Sequence, residues 1–160
     1  MSAFCVGIGY DIHRTAAGRP LRLAGVEIPG APGLSGHSDA DVVLHALCDA
    51  LLGAAGLGDI GELFPDTDPA FAGADSRVLV RDVLQRVRAA GLGVHNADVV
   101  IQAERPRLTP FKPAMRAALA SLLEVGPRQV NVKAGTNEGL GAIGRGEAIA
   151  CWAAVLLKQA

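Results

Sequence analysis

The order of apolar and polar positions along the 160-residue chain predicts a mixture of helices and strands. Residues 76–90 and 110–124 carry apolar side chains with the helical period of about 3.6 residues, so one side of each predicted helix is apolar. A third helix is predicted from residue 38 to about residue 56, and it is apolar on most sides, which indicates burial on most sides. Extended segments are predicted at residues 6–13, 21–28, 94–103, 130–133 and 147–157, with a helix as the alternative for the alanine-rich last segment.

Turn-forming residues mark the ends of these elements. The segment from Ser38 to Asp41 resembles a capping box, so the first helix should begin there. Residues 21–28 are predicted to form a short hairpin that turns near Ala24 and Gly25. The proline- and glycine-rich residues 29–36 are predicted to be a loop.

The alternation of strands and helices predicts an α/β fold in a single domain over residues 1–160. Residues 58–74 form a second predicted loop, and no repeat or linker divides the chain. We expect an α+β sandwich in which helices cover one face of the sheet. The other face would then be free to meet another subunit.

The composition adds expectations about assembly and partners. With 50% hydrophobic and 19% charged residues, the chain has more apolar surface than one small globule hides, so the excess is expected in a subunit interface. A net charge of −1, an aromatic content of 4% and the absence of a basic run argue against nucleic acid as a partner. No apolar stretch reaches the ~20 residues that span a bilayer, so no membrane partner is expected.

The N-terminus and the cysteines bear on location. Residues 1–6 lack the charged region and the long apolar core of a signal peptide. Cys5, Cys48 and Cys151 make an odd count without CxxC spacing, which predicts reduced thiols and a cytoplasmic protein.

Asp11 and His13 are the first residues along the chain whose side chains indicate a chemical function. They are two positions apart in a predicted strand, so their side chains point to the same side. With His45 of the first helix they would supply three ligands and leave a fourth position open, which is typical of catalytic zinc. The alternative is a chance pair of polar residues, and the spacing alone does not decide between the two.

Two carboxylates flank His45 on one side of the first helix. Asp41, His45 and Asp49 are spaced i, i+4, i+8, so either carboxylate could orient the second ring nitrogen of His45. The alternative interpretation is a polar stripe with acidic residues near the helix N-terminus.

Three further features indicate phosphate binding, each with a structural alternative. His37 and Ser38 precede the first helix, where free N–H groups attract anions, although a serine there is commonly a simple cap. In the glycine-rich segment 133–141, N–H and hydroxyl groups can bind phosphate and Glu138 can hold Mg²⁺, or the segment is only a turn. Arg145 between two glycines suits either a phosphate clamp or a loop.

Five blocks, in order along nearly the whole chain, resemble the methylerythritol cyclodiphosphate synthase family. They are Gly-Tyr-Asp-Ile-His at 9–13, His-Ser-Asp-Ala-Asp with Leu-His-Ala-Leu at 37–47, the segment 58–69, Asn-Val-Lys-Ala at 131–134 and Gly-Arg-Gly-Glu at 144–147. The resemblance implies a homotrimer with a mixed β-sheet, whose uncovered face turns toward the trimer axis, and active sites at the subunit interfaces.

The resemblance also implies a reaction. Members of the family convert 4-diphosphocytidyl-2-C-methyl-D-erythritol 2-phosphate, a cytidine diphosphate derivative, to 2-C-methyl-D-erythritol 2,4-cyclodiphosphate and CMP. The step belongs to the non-mevalonate route to isoprenoid precursors and is classed as a phosphorus–oxygen lyase reaction. The 2-phosphate of the substrate attacks its β-phosphate, so no protein nucleophile is needed.

Residue roles follow from the same resemblance. Asp11, His13 and His45 would bind Zn²⁺, and Glu138 would hold Mg²⁺ or Mn²⁺ together with substrate phosphates. His37 and Thr136 would stabilise the transition state. The residues implied to bind substrate are Ser38, Asp59, Ile60, Gly61, Phe64, Pro65, Asp66, Thr67, Asp68, Ala103, Pro106, Arg107, Leu108, Thr109, Gly135, Asn137, Ala142 and Arg145.

The chain departs from the family pattern at three positions. Gly135 and Asn137 stand where threonine is usual, so the phosphate turn has fewer hydroxyl groups. Ala142 stands where phenylalanine is frequent, which argues against an isoprenoid diphosphate in the central cavity of the trimer. Two alternative functions stay open. One is a phosphohydrolase that uses water as nucleophile, and the other is a trimeric sensor of a cytidine nucleotide or an isoprenoid diphosphate.

Overall fold

The computed structural model describes residues 4–160, so Met1 to Ala3 of the N-terminal segment discussed above lie outside the described residues. The strands are β1 Phe4–Leu23, β2 Val26–Leu34, β3 Leu92–Gln102, β4 Val130–Gly135 and β5 Ala148–Gln159. The helices are α1 Val42–Ala55, α2 Ile60–Leu63, α3 Ser76–Ala89, α4 Lys112–Leu123 and α5 Gly141–Gly144. Short 3-10 turns are at Pro69–Phe71, Thr109–Phe111 and Pro127–Gln129.

The five strands form one mixed sheet in the order β2-β1-β5-β3-β4. β3 and β4 are parallel, and every other neighbouring pair is antiparallel. α1 packs on β1 and β5, α4 packs on β4, and α3 packs against α1 and β3. The predicted α+β sandwich with helices on one sheet face is confirmed. Within residues 4–160, no helix is both long enough and apolar enough to cross a membrane.

α1 lies very close to β1, and two glycines of β1 make this possible. A Cβ atom at Gly9 would lie 1.9 Å from the carbonyl oxygen of Ala46, and one at Gly7 would lie 2.0 Å from that of Ala50. Glycine at both positions therefore lets the helix backbone sit directly on the strand. This seating fixes the height at which α1 presents His45 above β1.

Gly9→Ala is expected to lower the free energy of unfolding by about 3 kcal/mol or more, because the added methyl group can fit only if α1 moves away. Urea denaturation measures the change. The matched control is Gly53→Ala within α1, where no atom apart from the helix's own backbone lies within 4 Å of the added Cβ. Alanine is the better helix former, so this control should be unchanged or more stable by up to about 1 kcal/mol. Equal stability of the two variants would contradict the close packing of α1 on β1.

The sheet face opposite the helices carries a row of exposed apolar side chains. Side chains of β1 alternate between the two faces, and Val6 and Ile8 on the uncovered face are 76% and 73% exposed. The full row comprises Phe4, Val6, Ile8, Tyr10 and Ile12 of β1 and Trp152 of β5. Contiguous apolar surface of this kind is typical of a protein–protein interface.

The predicted loop at 29–36 is wrong for most of its length, because β2 continues to Leu34. β2 is an edge strand, so Pro32 can be part of it without removing a hydrogen bond from a central pair. The predicted hairpin turn at Ala24 and Gly25 is confirmed, and both residues have positive φ angles, of 56° and 75°.

The first helix starts later than the capping-box pattern indicated. α1 begins at Val42, and Asp41 rather than Ser38 is its N-cap. The Asp41 carboxylate accepts two N–H groups from the first turn of α1 and two from the β1–β2 turn. Burial raises the pKa of Asp41 to about 6, although these N–H donors act in the opposite direction. The predicted loop at 58–74 also contains α2 and a 3-10 turn.

Candidate active site

Asp11 and His13 of β1 and His45 of α1 direct one side-chain atom each to a common point. Nε2 of His13 lies 2.8 Å from Oδ2 of Asp11 and 3.0 Å from Nδ1 of His45. Nδ1 of His45 lies 3.1 Å from the same Asp11 oxygen. The prediction that Asp11 and His13 point to the same side is therefore confirmed, and His45 does join them.

The hydrogen bonds of His45 define which ring nitrogen carries its proton. Nε2 of His45 lies 2.9 Å from Oγ of Ser76 and 3.1 Å from Oγ of Ser38. The Ser76 hydroxyl donates its own proton to the Asp39 carboxylate at 2.5 Å, so it accepts the Nε2–H of His45. Nδ1 of His45 consequently keeps a free lone pair directed at the common point.

His13 is oriented in the same manner and completes a metal-binding donor set. Its Nδ1 lies 2.7 Å from the carbonyl oxygen of Ser35 and donates to it, which leaves the Nε2 lone pair free. Two imidazole lone pairs and one oxygen of Asp11 thus converge, which is the donor set of a catalytic zinc site. Ligands of a tetrahedral zinc ion are about 3.3 Å apart at normal bond lengths, so the three side chains need little adjustment to fit one.

When no metal ion is bound, a proton between Nε2 of His13 and Oδ2 of Asp11 takes the place of the metal, and the ionised forms of these two residues then stabilise each other. Burial acts to raise the pKa of Asp11, but hydrogen bonds and charge from His13 and His45 outweigh it and hold that pKa well below its usual range. Burial acts to lower the pKa of His13, but the hydrogen bond and charge of Asp11 outweigh it and raise that pKa. Asp11 therefore remains an anionic ligand across the physiological pH range.

The interpretation that Asp41 or Asp49 orients His45 is wrong. Asp41 caps α1, and Asp49 accepts the backbone N–H of Ile60 at 2.8 Å, with burial raising its pKa. Ser38 and Ser76 take the orienting position instead. Ser76 is 31 positions from His45 in the sequence and reaches it because α3 packs on α1, so no local pattern could have identified it.

Ser76→Ala is expected to weaken zinc binding by roughly 10- to 100-fold, because His45 loses an acceptor that fixes its Nε2–H tautomer. Competition with a chromophoric chelator measures the affinity. Ser121→Ala on α4 makes the same chemical change outside the zinc pocket and should bind zinc as tightly as the unsubstituted protein. If both variants bound zinc equally, Ser38 alone would be sufficient to orient His45.

The three side chains lie in a pocket of about 420 Å³, called here the zinc pocket. Residues predicted to bind substrate or to act in catalysis that also line it are His37, Ser38, Ile60, Gly61, Phe64, Pro65 and Asp66. Asp49, considered above only as a residue that orients His45, also lines the pocket, and the lining residues without any predicted role are Gly36, Phe71 and Leu79. The pocket wall thus combines polar side chains with apolar ones.

Some residues that were predicted to bind substrate lie beside this pocket, and they stabilise the segments that form its wall instead of lining it. Asp59 accepts the N–H of Glu62 and so caps α2, and the side chain of Asp68 caps the adjacent 3-10 turn. The carbonyl oxygen of Asp68 lies 2.9 Å from Nε2 of His37 and accepts its proton. Thr67, between these groups, does not line the pocket.

A second pocket of about 400 Å³ lies where β3 and β4 end. It is called here the nucleotide pocket, after the cytosine-binding role that the family resemblance implies for its residues. It brings together predicted residues Ala103, Pro106, Arg107, Leu108, Thr109, Gly135 and Thr136. Glu104, Arg105 and Ala134 also line it and were not predicted. The ends of two parallel strands and the loop after β3 therefore form one concave surface, as the resemblance implied for these residues.

The turn that follows β4 is held by carboxylates. Thr136 donates its hydroxyl to the Glu138 carboxylate at 2.9 Å. Glu104 accepts the backbone N–H groups of Asn137 and Gly139 at 3.1 and 3.4 Å. Glu104 was not identified from the sequence, although it fixes the turn that presents Thr136 and Glu138.

The two pockets share no lining residue and stand three strands apart. His13 of β1 and Gln102 of β3 both pair with β5, at positions that are one residue apart. Gln102 in turn pairs with Gly135 of β4. Strands are about 4.8 Å apart, so His13 and Gly135 are separated by about 14 Å. Within the described residues, Glu138 does not belong to the cluster of Asp11, His13 and His45.

The remaining predicted residues lie outside both pockets. Arg145 pairs with the Glu147 carboxylate at 2.8 Å on the surface, and Ala142 is exposed in α5. The side-chain amide of Asn137 donates to the carbonyl oxygen of Leu140 at 2.8 Å. A single chain therefore does not bring these residues to the zinc pocket.

Comparisons with known proteins agree in pointing to one family. A sequence model described as the YgbB family matches residues 4–158. A relative from Ralstonia nicotianae named 2-C-methyl-D-erythritol 2,4-cyclodiphosphate synthase is 58% identical over 155 residues, which cover 97% of this chain and 92% of the relative. A solved 2C-methyl-D-erythritol-2,4-cyclodiphosphate synthase in its CDP-bound form is 42% identical, with a TM-score of 0.88 over 95% of this chain and 99% of that one. The bifunctional IspDF from Campylobacter jejuni is 46% identical, with a TM-score of 0.96 over 100% of this chain, which spans 43% of that longer protein.

Proposed function

Because this chain belongs to the YgbB family of 2-C-methyl-D-erythritol 2,4-cyclodiphosphate synthases, we propose that it catalyses their reaction in isoprenoid biosynthesis. Its substrate would be 4-diphosphocytidyl-2-C-methyl-D-erythritol 2-phosphate, and its products the 2,4-cyclodiphosphate and CMP. This makes it a phosphorus–oxygen lyase of the non-mevalonate pathway. The observation that carries the proposal is the convergence of Asp11, His13 and His45 in a pocket beside His37.

Asp11, His13 and His45 would hold Zn²⁺, and the two free imidazole lone pairs support this assignment. Glu138 would hold Mg²⁺ or Mn²⁺ together with phosphate oxygens of the substrate, since carboxylates are preferred ligands of hard cations. When bound, the two cations supply positive charge against the phosphates.

The protein's own contribution is orientation and stabilisation of charge, because the attacking group is the 2-phosphate of the substrate. The bond that forms joins an oxygen of this phosphate to the β-phosphorus, and the bond that breaks releases CMP. His37 has its Nε2–H bound to the Asp68 carbonyl, so Nδ1 is the ring nitrogen that it would turn to the reacting phosphates. Thr136 offers a hydroxyl group from the other pocket.

The two pockets suit the two ends of the substrate. The apolar side chains of Ile60, Phe64 and Phe71 would contact the methylerythritol part. The loop 103–109 would surround the cytosine, and the turn that carries Thr136 would hold the phosphates. A bound substrate would then join groups that stand three strands apart in a single chain.

We infer that a neighbouring subunit closes this gap, in a homotrimer whose axis runs along the uncovered sheet face. The exposed row from Phe4 to Ile12 with Trp152 would be buried there, which accounts for the apolar excess of the composition. The nucleotide pocket of one subunit would meet the zinc pocket of the next. The free thiols of Cys5, Cys48 and Cys151 support a cytoplasmic location.

The test is incubation of the purified protein with the substrate and Mg²⁺, before and after chelation, followed by ³¹P NMR and detection of CMP. Formation of a cyclic diphosphate together with CMP, lost on chelation, is the expected result. CMP with an open-chain product would indicate a phosphohydrolase that uses water. Binding of the substrate without release of CMP would indicate a sensor.

A further inference from the structure

Arg19 lies in a bulge of β1 that removes it from the regular strand pairing. Ala16 pairs with Gly33 of β2, but Pro20 already pairs with Pro32, so residues 17–19 have no partner across the hairpin. A Cβ atom at Gly33 would lie 2.6 Å from the carbonyl oxygen of Arg19, so glycine there permits the bulge backbone to pass. The bulge thus turns a side chain of the hairpin toward the loop of residues 35–38, which contains His37.

The guanidinium group of Arg19 binds that loop on both sides of His37. One terminal nitrogen donates to the carbonyl oxygen of Gly36 at 2.9 Å, and the other donates to that of Ser38 at 2.5 Å. The planar fork of arginine suits two acceptors held at a fixed separation, which the single ammonium group of lysine cannot reproduce.

The other two carbonyl groups of the segment 35–38 are also bound. The carbonyl oxygen of Ser35 accepts from Nδ1 of His13, and that of His37 accepts the backbone N–H of Gly73 at 2.7 Å. All four carbonyl groups from Ser35 to Ser38 therefore have donors, and Arg19 supplies two of the four. Without Arg19, the carbonyl groups of Gly36 and Ser38, on either side of His37, would lose their only side-chain donor among the described residues.

We propose that Arg19 is a positioning residue for His37, acting through the backbone of Gly36 and Ser38, in the phosphoryl transfer; the proposal rests on the proposed function. By holding the carbonyl groups of Gly36 and Ser38, one before and one after His37, Arg19 sets the direction in which the imidazole meets the reacting phosphates. An error of about 1 Å in such a group can cost on the order of 100-fold in rate.

Arg19→Gln is expected to lower kcat by roughly 10- to 100-fold while KM changes by less than about threefold, because the loss is one of orientation and not of substrate contact. Zinc content should be unchanged. The matched control is Arg22→Gln on the same strand, where the guanidinium only approaches Glu27 at 4.0 Å, and its kcat should be normal. A normal kcat for Arg19→Gln would overturn the proposal.

A double-mutant cycle separates positioning of His37 from a general structural effect. In a His37→Ala background, Arg19→Gln should cost less than about twofold in kcat, because no imidazole remains to be misplaced. An equal loss in both backgrounds would show that Arg19 does not act through His37 and would overturn the proposal.

A readout that does not need turnover keeps this inference distinct from the proposed function. In protein with ¹⁵N-labelled histidine, the imidazole signals of His37 should move in Arg19→Gln and stay in place in Arg22→Gln. Unmoved His37 signals in Arg19→Gln would overturn the positioning role. Absence of CMP release from the unsubstituted protein would instead overturn the proposed function alone.

Discussion

Replacement of His45 by alanine is expected to abolish both zinc binding and turnover while the protein remains folded. His45 is one of the three proposed protein ligands found among residues 4–160, and its Nδ1 lies 3.0 to 3.1 Å from the other two ligand atoms. The loss of zinc affinity should exceed the roughly 10- to 100-fold that is typical of losing a ligand's hydrogen-bond partner. Metal analysis after dialysis and the CMP assay measure the two effects.

The fold should survive because the substitution leaves no isolated buried charge. Asp11 and His13 remain paired at 2.8 Å, and Ser76 keeps its hydrogen bond to Asp39. The matched control is His95→Ala, the same change at a histidine that lies outside both pockets, which should retain zinc and full turnover. Normal turnover by a zinc-free His45→Ala protein would contradict the metal-dependent mechanism.

The part of the zinc pocket that depends only on local backbone geometry could be predicted from the sequence. Side chains two apart on a strand point the same way, so Asp11 and His13 converge whatever the rest of the fold does. His45 was only a possible third ligand on the first predicted helix until the family resemblance assigned it, and the packing of α1 on β1 brings it to the other two. Residues that depend on packing between distant elements were not predictable, and Ser76 and Glu104 are the clearest cases.

The errors in the predicted elements have equally local causes. Ser38 and Asp41 both resemble helix caps, and only the positive φ of Ala40, between them, shows that the chain turns once more before the helix. Prolines in 29–36 favoured a loop, but a strand at the edge of a sheet accepts them. The bulge that directs Arg19 at the loop 35–38 depends on pairing with β2, which a sequence pattern does not reveal.

Mixing two inactive variants is expected to restore activity if each active site is shared between neighbouring subunits. His45→Ala disables the zinc pocket, and Glu138→Gln disables the turn beside the nucleotide pocket. Glu138→Gln alone should lower turnover by at least about 100-fold while zinc stays bound, since its carboxylate is the proposed ligand of the second cation. These two residues are on opposite sides of the three-strand gap, so in the proposed trimer they would meet across a subunit interface.

The size of the recovery follows from the proposed trimer. After denaturation and joint refolding of equal amounts, a working site needs a Glu138→Gln subunit for its zinc pocket and a His45→Ala subunit beside it for its nucleotide pocket. Random assembly gives this arrangement at about a quarter of the sites, so turnover per subunit should reach about a quarter of the normal value. Each variant refolded alone is the control and should stay inactive. A mixture no more active than its components would mean that one chain forms a whole site, and that the gap between the pockets closes within the subunit when the substrate binds.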